Sequence, residues 1–133
     1  MNPPGSLALD TSVCIAHLRG QCDIISQTLA EATELYLPLT TLGELSYGYE
    51  RSGRDQRSRA QLQLIRSLAI VLPPDVYTAE CFGRLKSHLA SKGRMIPEGD
   101  LWIAATAQSY GITLYCRDDH FGHLTDVMDI KQA

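Results

Sequence analysis

Ser6-Leu7-Ala8-Leu9-Asp10-Thr11-Ser12 is the stretch on which the fold turns. A short apolar run ends on three residues whose side-chain oxygens satisfy the free N–H groups of a helix start, so a buried strand hands over to a helix running to about Arg19. The pattern recurs downstream. After a helical piece near Asp23 to Ala30, Leu35-Tyr36-Leu37-Pro38-Leu39 reads as a second strand, with Thr40 or Thr41 capping a helix through Ser52 and Glu44 in its first turn. Asp55 opens another helix with Leu62, Ile65 and Leu68 at helical spacing, and Ala69 to Leu72 is a third strand stopped by Pro73-Pro74. Asp75 caps a long helix in which Val76, Ala79, Phe82, Leu85 and Leu89 form one apolar face ending near Gly93. Pro97-Glu98-Gly99-Asp100 leads into the apolar helix Leu101 to Tyr110, Gly111 ends it, and Ile112 to Tyr115 is the fourth strand. A short last strand is expected around Val127 to Ile130. Strands alternating with helices imply an α/β fold, a parallel sheet with helices on both faces, and ligands held beyond the carboxyl ends of the strands.

The chain has 133 residues, the size of one domain spanning 1–133. Its apolar runs are too short to cross a bilayer, and Met1-Asn2-Pro3-Pro4-Gly5 lacks the charged and apolar regions of a signal peptide, so a cytoplasmic protein is expected. Cysteines 14, 22, 81 and 116 have no zinc-site spacing and read as reduced, mostly buried thiols. The net charge of −3 argues at first against a nucleic-acid partner. Setting aside the acids considered next leaves the remaining surface about neutral.

Asp10, Glu44, Asp100 and Asp118 each fall where a strand gives way to a helix, or one turn beyond. Taken singly, each has an ordinary role: Asp10 and Asp100 as caps or first-turn acids, Glu44 as a residue favoured by the helix dipole, Asp118 as a loop residue. Taken together they converge at one sheet edge, and several carboxylates sharing a site stay ionised only beside a counter-charge. Oxygen ligands select hard ions such as Mg²⁺ or Mn²⁺, whose bound waters can become nucleophiles, which points to metal-assisted phosphodiester hydrolysis. Thr11, Ser12, Glu98, Arg117 and Asp119 are weaker candidates for contacts with substrate or with these acids. His17, His88, His120 and His123 show no ligand spacing tied to the acids, and Trp102 and Phe121 read as core rather than as stacking platforms. Arg51, Arg54, Arg57, Arg59 and Arg66 form either a solvated face or a phosphate-tracking rim.

The same residues carry a family resemblance over essentially the whole chain. Leu9-Asp10-Thr11-Ser12-Val13, Thr41 to Gly48 (TLGELSYG), Ile96 to Ala105 (IPEGDLWIAA) and Arg117-Asp118-Asp119-His120-Phe121 match, in order and spacing, the four motifs of PIN domains. Within that family the sequence resembles the VapC-like toxins of bacterial toxin–antitoxin modules. The resemblance implies a three-layer sandwich around a five-stranded parallel sheet, and a Mg²⁺- or Mn²⁺-dependent endoribonuclease with acidic ligands at Asp10, Glu44, Asp100 and Asp118. It also implies RNA cleavage to a 5′-phosphate and a 3′-hydroxyl, a homodimer, and inhibition by a cognate VapB-like antitoxin. Gly99 stands where the family often has Asn, and Cys116 where it often has Thr. Both departures predict weaker substrate positioning without loss of a ligand. A housekeeping RNA-processing nuclease and a non-catalytic RNA- or protein-binding module on the same fold are the alternatives.

Overall fold

The computed structural model describes residues 5–133, and the reading of the leading residues 1–4 falls outside them. Five strands form one parallel sheet in the order β3-β2-β1-β4-β5: β1 Ser6–Leu9, β2 Glu34–Pro38, β3 Ile70–Leu72, β4 Thr113–Cys116 and β5 Ile130–Gln132. The helices are α1 Thr11–Leu18, α2 Asp23–Glu31, α3 Leu39–Arg51, α4 Gln56–Leu68, α5 Val76–Ser91 and α6 Glu98–Ser109, with a 3₁₀ segment over Asp119–Leu124. No helix among the described residues is long and apolar enough to cross a membrane.

Strand side chains alternate between the two faces, and the core divides accordingly. Leu7, Leu9, Leu37 and Tyr115 pack with Val13, Cys14, Ile25 and Ile65 on one side. Ala8, Tyr36, Leu114 and Cys116 pack with Leu85, Leu89, Leu101 and Phe121 on the other. Phe121 is therefore core, as its sequence context suggests, while Trp102 stacks on Phe82 with 4.1 Å between ring centroids. Cys14, Cys81 and Cys116 are buried and Cys22 is half-buried, all as free thiols.

Several boundaries differ from the sequence reading: α6 begins at Glu98 rather than Leu101, which puts Asp100 inside its first turn, and two further shifts have clear causes. Helix α3 starts at Leu39 with Pro38 as its N-cap and no side-chain cap, because the fixed proline φ enters the helix directly. Thr41 instead lies inside the helix, fully buried, and its hydroxyl donates to the Leu9 carbonyl at 2.9 Å. Glu44 consequently sits in the second turn rather than the first. The last strand begins at Ile130, not Val127, because the N–H groups of Val127 and Met128 turn back to the Leu124 carbonyl, each at 3.1 Å.

The order β3-β2-β1-β4-β5 creates the feature that positions the site. The chain builds outward from β1 through β2 to β3, then crosses back to lay β4 and β5 on the opposite side of β1. The crevice between the carboxyl ends of β1 and β4 is thus the point where strand order reverses, the usual ligand position in such sheets. Asp10 follows β1 there, its N–H bonded to the Tyr115 carbonyl at 3.1 Å, and Asp118 lies two residues past the end of β4.

Candidate active site

Two neighbouring groups hold the Asp10 carboxyl. As N-cap of α1 it accepts the Val13 N–H at 2.9 Å, and the Ser12 hydroxyl lies 3.0 and 2.8 Å from its two oxygens. Only 3% of the residue is exposed. Burial, reinforced by the nearby charges of Asp100 and Asp118, outweighs these hydrogen bonds and pushes its pKa up to about 6. Asp10 therefore caps the helix and also feels the charge of Asp100 and Asp118, although it stands outside the tight group those two acids form with His120.

Asp100 lies in the first turn of α6, whose N-cap is Pro97. Asp118 caps the 3₁₀ segment by accepting the His120 N–H at 3.0 Å. The His120 ring closes the arrangement, with Nδ1 at 2.9 Å from Asp100 Oδ2 and 3.1 Å from Asp118 Oδ1. Its pKa is raised, first by the hydrogen bond to Asp100 and then by the surrounding acidic charge. Donor atoms of Asp100, Asp118 and His120 all fall within 4.8 Å of one another. The histidine readings need correcting here: His120 has no metal-motif spacing, yet the 3₁₀ turn after β4 swings its ring onto α6. No local sequence signal marks that tertiary contact.

Glu44 reaches the site from α3 and is tethered by a hydrogen bond from the Thr11 hydroxyl at the start of α1. Its Oε2 occupies the space over Gly99, where a β-carbon would stand 2.5 Å away. Glu44 thus touches the residue before Asp100, but it does not belong to the tight group of Asp100, Asp118 and His120.

The secondary candidates divide. Thr11 and Ser12 orient Glu44 and Asp10, as described. The Arg117 N–H lies 3.3 Å from the Ser12 oxygen, so it is the Arg117 backbone that touches the site's framework, while the residue itself is exposed. Glu98 pairs with Lys86 at 2.7 Å on the surface, and Asp119 is exposed on the 3₁₀ segment outside the cluster. Cys116 is fully buried, with Sγ 3.9 Å from the Lys131 carbonyl, and burial together with the Asp10 charge pushes its thiol up to about 12. It stays protonated, which leaves the ligand set to carboxylates and imidazole. That donor set is compatible with a metal ion, and the histidine drawn between two acids marks a local excess of negative charge.

The fold and the crevice define a class, an α/β protein with an acidic centre at the switch point of a parallel sheet. The chain belongs to the PIN domain family, whose profile matches residues 7–127. Ribonuclease VapC5 of Mycobacterium tuberculosis is 33% identical over 133 residues, covering 96% of this chain and 94% of that protein. The crystal structure of VapBC-5, from the VapBC family of toxin–antitoxin systems of the same organism, superposes with a TM-score of 0.79 at 31% identity over 97% of this chain and 98% of that one. VapBC2 from Rickettsia felis, bound to a promoter DNA fragment, superposes with a TM-score of 0.85 over 96% of this chain and 98% of that one, a likeness of fold at 21% identity.

Proposed function

We propose that this chain is a divalent-metal-dependent endoribonuclease and the toxin of a toxin–antitoxin pair, a single PIN domain that acts on RNA as a homodimer and is held inactive by a cognate antitoxin. The observation that supports the reading is the meeting of Asp100, Asp118 and His120 beside the switch point, with Asp10 near enough to feel the charge of both acids and Glu44 tethered by Thr11. The 33% identity to a VapC ribonuclease and the likeness to VapBC complexes support the toxin assignment.

Asp10, Asp100 and Asp118 would hold Mg²⁺ or Mn²⁺, with Glu44 completing the acidic set. A bound divalent ion supplies counter-charge, lowers the pKa of water and stabilises charge developing on the scissile phosphate. The rest is the work of the chain. Ser12 and the Val13 N–H fix the Asp10 carboxylate, so no reorientation is required when charge develops. Thr11 holds Glu44 against the start of α6. His120, on the more exposed side, keeps Asp100 and Asp118 together when no ion is present.

Expression without a partner gene tests the reading in cells: growth should arrest, and Asp10→Asn should relieve the arrest. In vitro, purified protein should cut RNA with Mn²⁺ and stop when the metal is chelated. Absence of cleavage by antitoxin-free protein in Mn²⁺ would overturn the enzymatic claim.

A further inference from the structure

The face of α3 that carries Glu44 does not end at the acidic site. Residues three, four and seven positions further along share that face, here Tyr47, Gly48 and Arg51. Tyr47 is 65% exposed, more than Tyr77 at 49%. The Arg51 guanidinium lies over it, 5.8 Å from the ring centroid. Among the described residues no carboxylate forms an ion pair with Arg51, whereas the charge of Arg54 is shared with Glu50 at 3.7 Å. Gly48 leaves the strip beside Tyr47 bare, with no atom within 4 Å of where its β-carbon would be. Glu44 and Gly48 also border one continuous groove with Ile15, Arg19, Leu45 and Tyr49. On helix geometry Tyr47 stands about 4.5 Å and Arg51 about 10.5 Å along the axis from Glu44.

We propose that Tyr47 and Arg51 form a platform for single-stranded RNA beside the acidic centre, Tyr47 stacking an unpaired base next to the scissile bond and Arg51 holding the following phosphate. The proposal rests on the ribonuclease reading and names two residues that would position the strand at that same site. An exposed aromatic paired with an arginine is how proteins grip single strands without reading sequence: every base has a π-face, and a guanidinium matches a phosphate in a bidentate fork. A base-paired strand cannot offer an unstacked base, so the platform selects unpaired segments. Continuity with a phosphodiester-directed site is what favours RNA over a protein partner on this face. The platform also gives the arginine run a division of labour, since Arg51 lies on the helix face that carries Glu44 and Tyr47, whereas Arg66 lies in the last turn of α4.

The test measures binding of a short fluorescein-labelled oligouridylate to the Asp10→Asn protein in Mg²⁺, so that no cutting is needed. Tyr47→Ala should weaken binding roughly 5- to 150-fold, the range for loss of one base–aromatic stack, and Tyr47→Phe should bind within about twofold of the parent. Moving an abasic position along the strand should find one site where the missing base costs as much as Tyr47→Ala, with no further loss when the two are combined. Arg51→Ala should reduce the salt dependence of binding by about one phosphate contact. Thermal melts establish that each variant is folded. Unchanged binding by folded Tyr47→Ala, or abasic and Tyr47→Ala losses that simply add, would overturn the platform, as would loss of antitoxin affinity with RNA binding intact. Cleavage with a silent Tyr47 counts against the platform alone, while a Tyr47-dependent strand that the parent never cuts counts against the ribonuclease reading alone.

Discussion

Gly99 and Glu44 occupy one space: a β-carbon on Gly99 would lie 2.5 Å from Glu44 Oε2, closer than real β-carbons approach any atom. The PIN resemblance often places Asn at this position, and from the sequence Gly99 reads as a lost hydrogen bond. In the structure it is room for a carboxylate. The consequence separates stability from activity, because the displaced atom is the end of a flexible side chain with solvent beyond it. Gly99→Ala and Gly99→Asn should cost less than about 1 kcal/mol of folding free energy, the range of ordinary changes outside the core. Both should push Glu44 off Thr11, lowering Mn²⁺-dependent cleavage at least tenfold. Denaturant unfolding and cleavage rates measured on the same samples check this. A variant that cuts RNA at the parental rate would show that Glu44 is free to act from elsewhere.

Asp10 sets the acid limit of the site. With its pKa raised to about 6, chiefly by burial, the carboxyl is protonated below that pH and a metal ion must displace the proton. The Asp10 contribution to Mn²⁺ affinity and cleavage should therefore climb as pH rises toward about 6 and level off above it, leaving any further rise to the His120 proton. The stability of the metal-free protein should run the opposite way. The folded state holds the proton more tightly than the unfolded chain, whose carboxyl titrates near 3.8, so stability falls as pH rises from about 3.8 to about 6 and stays lower beyond. A shift of this size is worth about 2–3 kcal/mol. Asp10→Asn should accordingly melt higher than the parent at neutral pH without metal, and the advantage should vanish near pH 4. Melting curves across that range, with and without Mn²⁺, decide it.

His120 shows why part of this site could not be read from the chain. The acids were legible because each stands beside local punctuation: Asp10 after an apolar run, Asp100 after Pro97, Asp118 just past β4. A carboxylate at a strand end carries its own address. His120 owes its role to the 3₁₀ turn that lays its ring across α6, and Gly99 owes its role to a side chain from α3, so both depend on contacts between elements far apart in sequence. The start of α3 depends on a distant contact in the same way. Thr40 and Thr41 look like caps, but Pro38 starts the helix unaided and Thr41 is spent on a carbonyl across the core. Val127 and Met128 carry strand-like apolar side chains, yet their N–H groups are committed to Leu124 before β5 begins.

The charge on His120 yields its own pH signature. Its folded pKa is raised above the ordinary 6.5 by Asp100 and Asp118, so its stabilising contribution is complete below that value and disappears as pH rises through the folded one. His120→Gln should remove that loss: the metal-free variant should be less stable than the parent on the acid side of 6.5 and similar to it in alkaline buffer. Mn²⁺ should compete with the ring's proton, so the parent should release more protons than His120→Gln on binding the ion. Calorimetric titration in two buffers of different ionisation enthalpy measures the difference. Equal proton release would mean that the ring leaves Asp100 and Asp118 without a change in charge.

Thr41 ties the helix that carries Glu44 to the strand that ends just before Asp10. Its hydroxyl, fully buried, donates to the Leu9 carbonyl at 2.9 Å, one residue before the acid. Valine has nearly the same shape but no donor, so Thr41→Val should cost about 1–3 kcal/mol, the range for stranding a buried hydrogen-bond partner. Thr41→Ser keeps the bond and loses only a methyl group, about 1 kcal/mol of burial. The two variants should differ more in cleavage than in stability. Without the bond, α3 is free to slide against β1, and the geometry between Glu44 and Asp10 loosens; with serine it is kept. Denaturant unfolding gives the stability ranking and Mn²⁺-dependent cleavage the functional one. If valine and serine cut RNA equally well, the bond stabilises the fold without positioning the site.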